Sequence, residues 1–313
     1  MRKAVDRAVV IGADAVQIFS DNARAWRRRA EPSPELVDFR TRLAARDIRP
    51  VVIHASYLIN LPGPDQATYA RSVAMLSGEL AGAPEFGASL VNVHIGSHRG
   101  SGVDVGVARL VDGIEIVLRN AAAAQAAADT PDLLPARLVL ENSAGGGGGL
   151  GTTIDELAMI DERLRERAID PGMVGFCLDT AHAWGAGIDV ADPAAIDAFL
   201  DEFDERLGVE RIALVHLNDT RSERGSRTDR HEHIGAGKIG PVGLGHVVRH
   251  PKLAHAPAII ETPGMDVGYD RINLARARAL LHGEPLKGLP PEAFQLAGSA
   301  RGRGAPRGRG TPP

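Results

Sequence analysis

Nine side chains of the types that bind metal ions recur along this 313-residue sequence in a regular plan. Six of them close short apolar runs: His54, His94, Glu141, Asp179, His216 and Glu261. Three more follow two of those runs: His182, Asp229 and His231. The chain holds 40 Asp and Glu and 11 His in all, so chance placement at six of seven run ends is improbable. Imidazole and carboxylate ligands without thiolate favour zinc, with manganese or iron as alternatives.

The size of this set indicates more than one ion. A catalytic zinc usually takes three protein ligands and keeps one position open, so nine potential ligands predict two or three ions. Ions roughly 3.5–4 Å apart polarise a phosphate, activate water at neutral pH and stabilise the leaving oxygen. Phosphodiester hydrolysis is therefore the predicted class of reaction.

Alternating strands and helices must position these side chains. The predicted strands span residues 15–19, 49–55, 89–94, 137–142, 174–180, 211–218 and 257–263. Helices are predicted over residues 1–11, 34–46, 65–83, 105–129, 153–167, 193–207 and 270–282. Such alternation favours a parallel sheet with right-handed crossovers. Strands that are apolar on both faces favour an α/β barrel, whose carboxyl-terminal strand ends converge on one mouth.

Composition predicts one barrel domain followed by a polar tail. Hydrophobic residues make up 44% of the chain, enough for one core over residues 1–286. Residues 287–313 are rich in Pro, Gly and Arg, and we expect a disordered tail because they bury too little apolar surface to offset their ordering entropy. The net charge of −4 gives no whole-molecule attraction to a polyanion, so nucleic-acid binding requires local basic patches.

Cysteine content and hydropathy indicate the compartment. The single cysteine, Cys177, excludes an intrachain disulfide and suits a reducing environment. No apolar run approaches the roughly 20 residues that span a bilayer, and the N-terminus lacks a signal-peptide core. We therefore expect a cytoplasmic protein without a membrane partner, associated with the nucleoid if its source is a prokaryote.

The ordered motifs around the nine side chains resemble those of one family. They are HASYLINL at 54–61, NVHIGSH at 92–98, LEN at 140–142, LDTAH at 178–182, HLND at 216–219, RTDRH at 227–231 and ETP at 261–263. In this order they resemble the signatures of endonuclease IV, the trizinc apurinic/apyrimidinic endonuclease, from about Ala15 to Glu284. Each motif alone is weak, but the ordered set is specific.

The resemblance implies a fold, a reaction and a set of ligands. The fold is a xylose isomerase-like (β/α)8 TIM barrel, and the reaction cuts DNA 5′ to an abasic site, leaves a 3′-hydroxyl and removes 3′ blocking groups. One zinc would lie on His54, His94 and Glu141, a second on Glu141, Asp179, His216 and Glu261, and a third on His182, Asp229 and His231. Glu141 is then the bridging carboxylate and the catalytic candidate. The implied cofactors are three zinc ions, with manganese as the alternative at one site.

The same resemblance identifies candidate DNA contacts. Arg24, Tyr57 and Leu58 match the DNA-penetrating loops of the family, and the neighbouring Arg27–Arg29 would contact phosphates. An abasic nucleotide has lost its stacking and pairing, so turning it out of the helix costs less than flipping an intact base. Wedge side chains then fill the gap. The expected partner is double-stranded DNA with abasic sites, bound by a monomer; taken alone, Tyr57 and Leu58 would equally suit ordinary packing.

The sequence also departs from the family pattern and leaves alternatives open. The first strand of the family, with its Gly-x-His-x-Ser stretch, has no counterpart before Met1, so we expect a barrel without that strand. A sugar isomerase or epimerase of the xylose isomerase-like barrels is the alternative enzyme, and the trio His182, Asp229 and His231 discriminates against it. An inactive, truncated DNA-binding homologue is the non-catalytic alternative.

Overall fold

Seven parallel strands form the central sheet of the computed structural model, which describes residues 2–27, 29, 34–128 and 133–296. The strands are β1 (Val16–Ile18), β2 (Val51–His54), β3 (Ala88–His94), β4 (Arg137–Glu141), β5 (Val174–Asp179), β6 (Ile212–His216) and β9 (Ala258–Ile259). They lie side by side in chain order, and each pairs in parallel with the next. Each predicted strand is confirmed, and within the described residues β1 and β9 are the two edges of this sheet.

Helices connect the strands, as predicted for a parallel barrel. They are α1 (Arg2–Ile11), α2 (Leu36–Ala44), α3 (Gln66–Gly82), α4 (Val103–Ala127), α5 (Ile154–Glu166), α6 (Thr180–Ala186), α7 (Pro193–Leu207), α8 (Gly240–Arg249) and α9 (Tyr269–His282). The seven predicted helices are confirmed, while α6, α8 and the short antiparallel pair β7 (Asp219–Thr220) and β8 (His231–Glu232) were not predicted. Within the described chain, no helix has the length and apolar composition to cross a membrane.

Local signals explain where several of these helices begin. The side chains of Asp65 and Thr153 accept hydrogen bonds from backbone N–H groups three residues ahead and so cap α3 and α5. Asp192 caps α7 by accepting the Ala194 N–H, two residues ahead, and Pro193 occupies the first position of that helix, where a missing N–H costs nothing. Caps of this kind fix the points at which the chain leaves each strand-end loop.

A layer of apolar side chains fills the barrel interior below the strand ends. Strands β2, β3, β4, β5, β6 and β9 each contribute one buried residue to it: Val52, Leu90, Val139, Cys177, Leu214 and Ile259. The intervening strand residues face the helices and belong to a second, larger core cluster. Because side chains alternate along a strand, residues two positions beyond the layer also point into the barrel, one level closer to its mouth.

The first residues of the predicted tail contact the barrel. Residues 291–295 form a 3-10 helix in which Ala293 is fully buried. The Ala293 carbonyl accepts a hydrogen bond from His233, and the Lys287 carbonyl accepts one from Arg276. These contacts pack residues 287–296 against the barrel, because backbone hydrogen bonds and one small apolar side chain offset the ordering cost there. Residues 297–313, the rest of the predicted tail, lie outside the described residues.

Candidate metal centre

The six strand-end candidates converge on the carboxyl-terminal mouth of the barrel. Five of them stand two residues beyond the interior layer, on the same strand face: His54, Glu141, Asp179, His216 and Glu261. His94 stands four residues beyond Leu90, with Asn92 between them. Strand pairing sets His94 beside Glu141 and Asp179 beside His216. The sheet geometry therefore places these side chains in one polar layer above an apolar floor.

The first group of candidate ligands joins three strands. The Nε2 atoms of His54 and His94 lie 3.6 and 3.5 Å from Oε2 of Glu141. His54 and Glu141 are buried, whereas 38% of the His94 side chain is exposed at the mouth. These separations leave room for an ion within coordination distance of all three side chains.

The second group uses the other oxygen of the same glutamate. Nδ1 of His216 lies 3.2 Å from Oε1 of Glu141, 3.3 Å from Oε2 of Glu261 and 3.8 Å from Oδ2 of Asp179. The four side chains place one ligand atom each within 4.8 Å of one another. Glu141 therefore turns one carboxylate oxygen toward each of two ligand groups, which is the arrangement a bridging carboxylate requires.

The third group is assembled by short-range structure after β5 and β6. Asp179 caps α6 by accepting the His182 N–H through Oδ1, at 2.8 Å, which leaves its Oδ2 for the cluster. The β7–β8 pair brings His231 back to the mouth. Asp229 then lies between the two histidines, 3.3 Å from Nε2 of His182 and 3.0 Å from Nε2 of His231. Almost half of the Asp229 side chain is exposed, so this group is the most open of the three.

Hydrogen bonds to carbonyl oxygens fix the imidazole rings in the orientation that metal ligands need. Nδ1 of His54 lies 2.7 Å from the Ala55 carbonyl, and Nδ1 of His182 lies 2.9 Å from the Asn142 carbonyl. Nδ1 of His231 lies 2.7 Å from the Glu261 carbonyl. In each case Nδ1 donates, so the Nε2 lone pair points into the cluster. Metal-ligating histidines have this second hydrogen bond almost always, so the donor set fits zinc.

The carboxylates and imidazoles of the cluster shift one another's pKa values. Burial would by itself lower the pKa of His216 and His182, but the surrounding groups, including Glu141, raise the pKa of both well above the usual value. Burial also lowers the pKa of His231, but the hydrogen bond with Asp229 outweighs this effect and raises the pKa to about 9. Conversely, the histidines lower the pKa of Glu141 despite its burial. The layer concentrates negative charge that protons partly balance, and divalent cations would balance it instead.

The predicted DNA contacts lie beside this cluster on two joined loops. The Ala23 carbonyl accepts hydrogen bonds from the Tyr57 N–H, at 3.1 Å, and from the Ser56 hydroxyl, at 2.9 Å. Arg24 is exposed, and the half-exposed Tyr57 ring lies 5.1 Å from the His54 ring. Burial and then the carboxylates Glu261 and Glu141 raise the pKa of Tyr57 to about 12. Of the arginines that follow, Arg27 is exposed, Arg29 pairs with Asp21 and Arg28 lies outside the described residues.

A cleft of about 300 Å³ opens next to the third ligand group. Leu58, His182 and Asp229 line it, together with two arginines that the sequence did not single out, Arg99 and Arg227. The cleft brings two of the predicted wedge residues, Tyr57 and Leu58, to one surface with candidate metal ligands and cationic side chains.

Sequence reasoning also missed amides that hold the ligands. Nδ2 of Asn92 lies 2.5 Å from Oε2 of Glu141, and Nδ2 of Asn218 lies 2.7 Å from Oδ2 of Asp179. Oδ1 of Asn218 accepts the Glu261 N–H at 2.8 Å. Both asparagines belong to strand-end motifs, so their place in the sequence was a usable signal.

Known proteins share both this fold and these motifs. A family model described as a xylose isomerase-like TIM barrel matches residues 5–283. The protein called probable endonuclease 4 of Methanoculleus marisnigri is 40% identical over 281 residues, which cover 89% of this chain and 94% of that protein. The chain belongs to the endonuclease IV family. This membership confirms the predicted barrel and the predicted class of enzyme, a nuclease.

Solved structures agree with the membership in the endonuclease IV family. The crystal structure of endonuclease IV from Thermus thermophilus matches with a TM-score of 0.74 and 37% identity, covering 90% of this chain and 94% of that one. A D-tagatose 3-epimerase-like protein matches with a TM-score of 0.60 and 19% identity, covering 86% and 90%. At that identity the second likeness shows the fold alone.

Proposed function

We propose that this member of the endonuclease IV family hydrolyses the DNA phosphodiester bond 5′ to an abasic site, leaves a 3′-hydroxyl and also removes 3′ blocking groups. One observation carries the proposal: nine predicted ligands meet at one barrel mouth, and Glu141 turns a separate oxygen toward each of two ligand groups. Double-stranded DNA is the partner, and we place the enzyme, as a monomer, in the cytoplasm with the DNA it repairs.

Three zinc ions would be held by the three groups, with manganese as the alternative at one of them. Their ligands would be His54, His94 and Glu141, then Glu141, Asp179, His216 and Glu261, and then His182, Asp229 and His231. Bound at such spacing, the ions would polarise the phosphate and supply activated water at neutral pH. Glu141 would hold two ions at a fixed separation and would thereby set the position of the scissile phosphate.

The remaining side chains of the site would bind and orient the substrate. Tyr57, Leu58 and Arg24 would fill the space of the missing base, because they stand on two joined loops beside the cluster. Tyr57 keeps its phenol proton at neutral pH, since its pKa is raised to about 12, so it offers a ring surface rather than a base. No side-chain nucleophile is needed in this scheme.

Cleavage of a labelled duplex with one tetrahydrofuran abasic analogue tests the proposal. We expect incision 5′ to the lesion by zinc-loaded protein and its loss after prolonged chelation. Glu141→Gln should lower the rate at least about 100-fold, or about 3 kcal/mol of barrier, because it removes a charge shared by two ions. The matched control is Glu162→Gln on the exposed face of α5, which should cleave like the wild type.

The outcomes of this assay separate the alternatives. Absence of incision by folded, zinc-loaded wild-type protein overturns the proposal. Binding of the abasic duplex without incision would then indicate the inactive homologue, and conversion of a ketohexose would indicate the sugar epimerase. The closeness of His182, Asp229 and His231 favours the nuclease, because this trio supplies a third ligand group.

A further inference from the structure

Strand β1 contributes an amide at the level where the other strands contribute candidate ligands. Ala15 packs against the interior apolar layer, and Gln17 stands two residues beyond it. By strand alternation Gln17 therefore points into the barrel toward the mouth, as His54 does on the neighbouring strand. Gln17 is partly buried and pairs in register with Val52, two residues before His54.

Both ends of this one amide contact the second ligand group. Oε1 of Gln17 lies 2.9 Å from Nε2 of His216, and Nε2 of Gln17 donates to Oε1 of Glu261 at 2.7 Å. The other ring nitrogen of His216, Nδ1, faces Glu141 and Oε2 of Glu261. Gln17 therefore contacts two candidate ligands on the sides turned away from the candidate ion.

Only one orientation of the amide satisfies both contacts. When Nδ1 of His216 is a metal ligand, the proton of the imidazole lies on Nε2, and the Gln17 Oε1 atom 2.9 Å away accepts it. The Gln17 NH2 group then faces the Glu261 carboxylate as a donor. Turning the amide over would set NH2 against the ring N–H and the carbonyl oxygen against the carboxylate, and both contacts would be repulsive.

We propose that Gln17 is a positioning residue that sets how His216 and Glu261 present their ligand atoms to the ion of the second group. This inference rests on the proposed function, because it requires the second group to hold an ion. By occupying Nε2 of His216, Gln17 keeps Nδ1 as the ligand atom. By occupying Oε1 of Glu261, it leaves Oε2 as the single oxygen turned toward the cluster.

The amide also links parts of the barrel that no described strand pair joins. In the described sheet β1 pairs with β2 only, and β9 pairs with β6 only. Gln17 reaches from β1 to His216 at the end of β6 and to Glu261 just after β9. One side chain of an edge strand thus contacts two ligands whose strands it does not pair with.

Zinc retention in the absence of DNA tests this role. Zinc-loaded wild type and Gln17→Leu are equilibrated with graded EDTA, and retained zinc per chain is measured by atomic emission. We expect one zinc per chain to bind about 10- to 100-fold more weakly in Gln17→Leu, the usual effect of removing a partner of metal ligands, with the other zinc ions unaffected. Cobalt-substituted protein should show a changed d–d absorption band, and cleavage should lose kcat with KM unchanged.

Two further variants make the result decisive. Gln17→Asn keeps the amide but is one methylene too short to reach both partners, so it should weaken the same zinc and shift the same cobalt band. Gln125→Leu on α4, where the amide contacts only the Leu80 and Ala81 carbonyls, should behave like the wild type. Unchanged zinc affinity and cobalt spectrum in both Gln17 variants, beside a zinc-loaded and active wild type, overturns the role of Gln17 alone. A wild type that retains no zinc overturns this role together with the proposed function.

Discussion

Replacing two arginines of the cleft will weaken DNA binding in a manner that depends on salt. Arg99 and Arg227 are exposed, both line the cleft beside Asp229 and His182, and within the described residues neither guanidinium has an ion pair. Each lies in a left-handed turn, with φ of 49° and 55°, so each is held at a defined point of the rim. Free cationic side chains beside a phosphate-cleaving site are expected to contact backbone phosphates.

The size of the effect follows from counterion release. Each phosphate contact contributes about 0.9 to the slope of log affinity against log salt, so the double variant Arg99→Gln, Arg227→Gln should lose about 1.8. Over a fourfold increase in salt, from about 50 to 200 mM, the affinity of the protein with both arginines should then fall about 12-fold more than that of the double variant.

Fluorescence anisotropy of a duplex with one tetrahydrofuran site measures these slopes. All proteins carry Glu141→Gln so that the duplex stays uncut. Arg119→Gln on the exposed face of α4, outside the cleft, is the control and should leave the slope unchanged. Equal slopes for the cleft variant and its parent would refute the reasoning, because phosphate contacts cannot be lost without a change in counterion release.

Two further predictions concern stability, measured by urea unfolding of metal-free protein. Gly243→Ala should destabilise the protein by about 2–3 kcal/mol, because the added Cβ would overlap the Val190 carbonyl. Gly245→Ala, whose Cβ would face only the end of the Arg249 side chain, should stabilise the protein by up to about 1 kcal/mol. Equal effects of the two substitutions would contradict the packing of α8. The hydrogen bond from Arg7 lowers the pKa of Asp270 in the folded protein. This ion pair therefore stabilises the fold at pH values above the pKa of Asp270 in the unfolded chain, and the stabilisation is lost as the pH falls through the pKa of Asp270 in the folded protein. Asp270→Asn should therefore cost about 1 kcal/mol at pH 7, a value reduced for solvent screening, and little at pH 3; an equal cost at both would refute it.

Sequence periodicity predicted the strands well because they are apolar on both faces, which only a covered parallel sheet explains. The same reasoning missed α8, whose sequence GPVGLGHVVR has low helix propensity. Its glycines serve packing instead, since Gly243 allows the helix to approach the Val190 carbonyl closely. In α8 the tertiary contact outweighs the low helix propensity of the sequence, and no local sequence pattern predicts that contact.

The candidate ligands could be predicted from the sequence, but the contribution of strand β1 could not. Their residue types are distinctive, and they recur at strand ends, so position and chemistry agree. Gln17 and Asn92 occupy equivalent places, two residues beyond the interior layer, but the effect of an amide depends on which ring nitrogen or carboxylate oxygen it contacts. That dependence is a property of the folded cluster. Alternation alone, carried from Ala15 to Gln17, nevertheless places the amide in the ligand layer, so a polar residue at that position of an otherwise apolar strand is itself evidence that β1 takes part in the site.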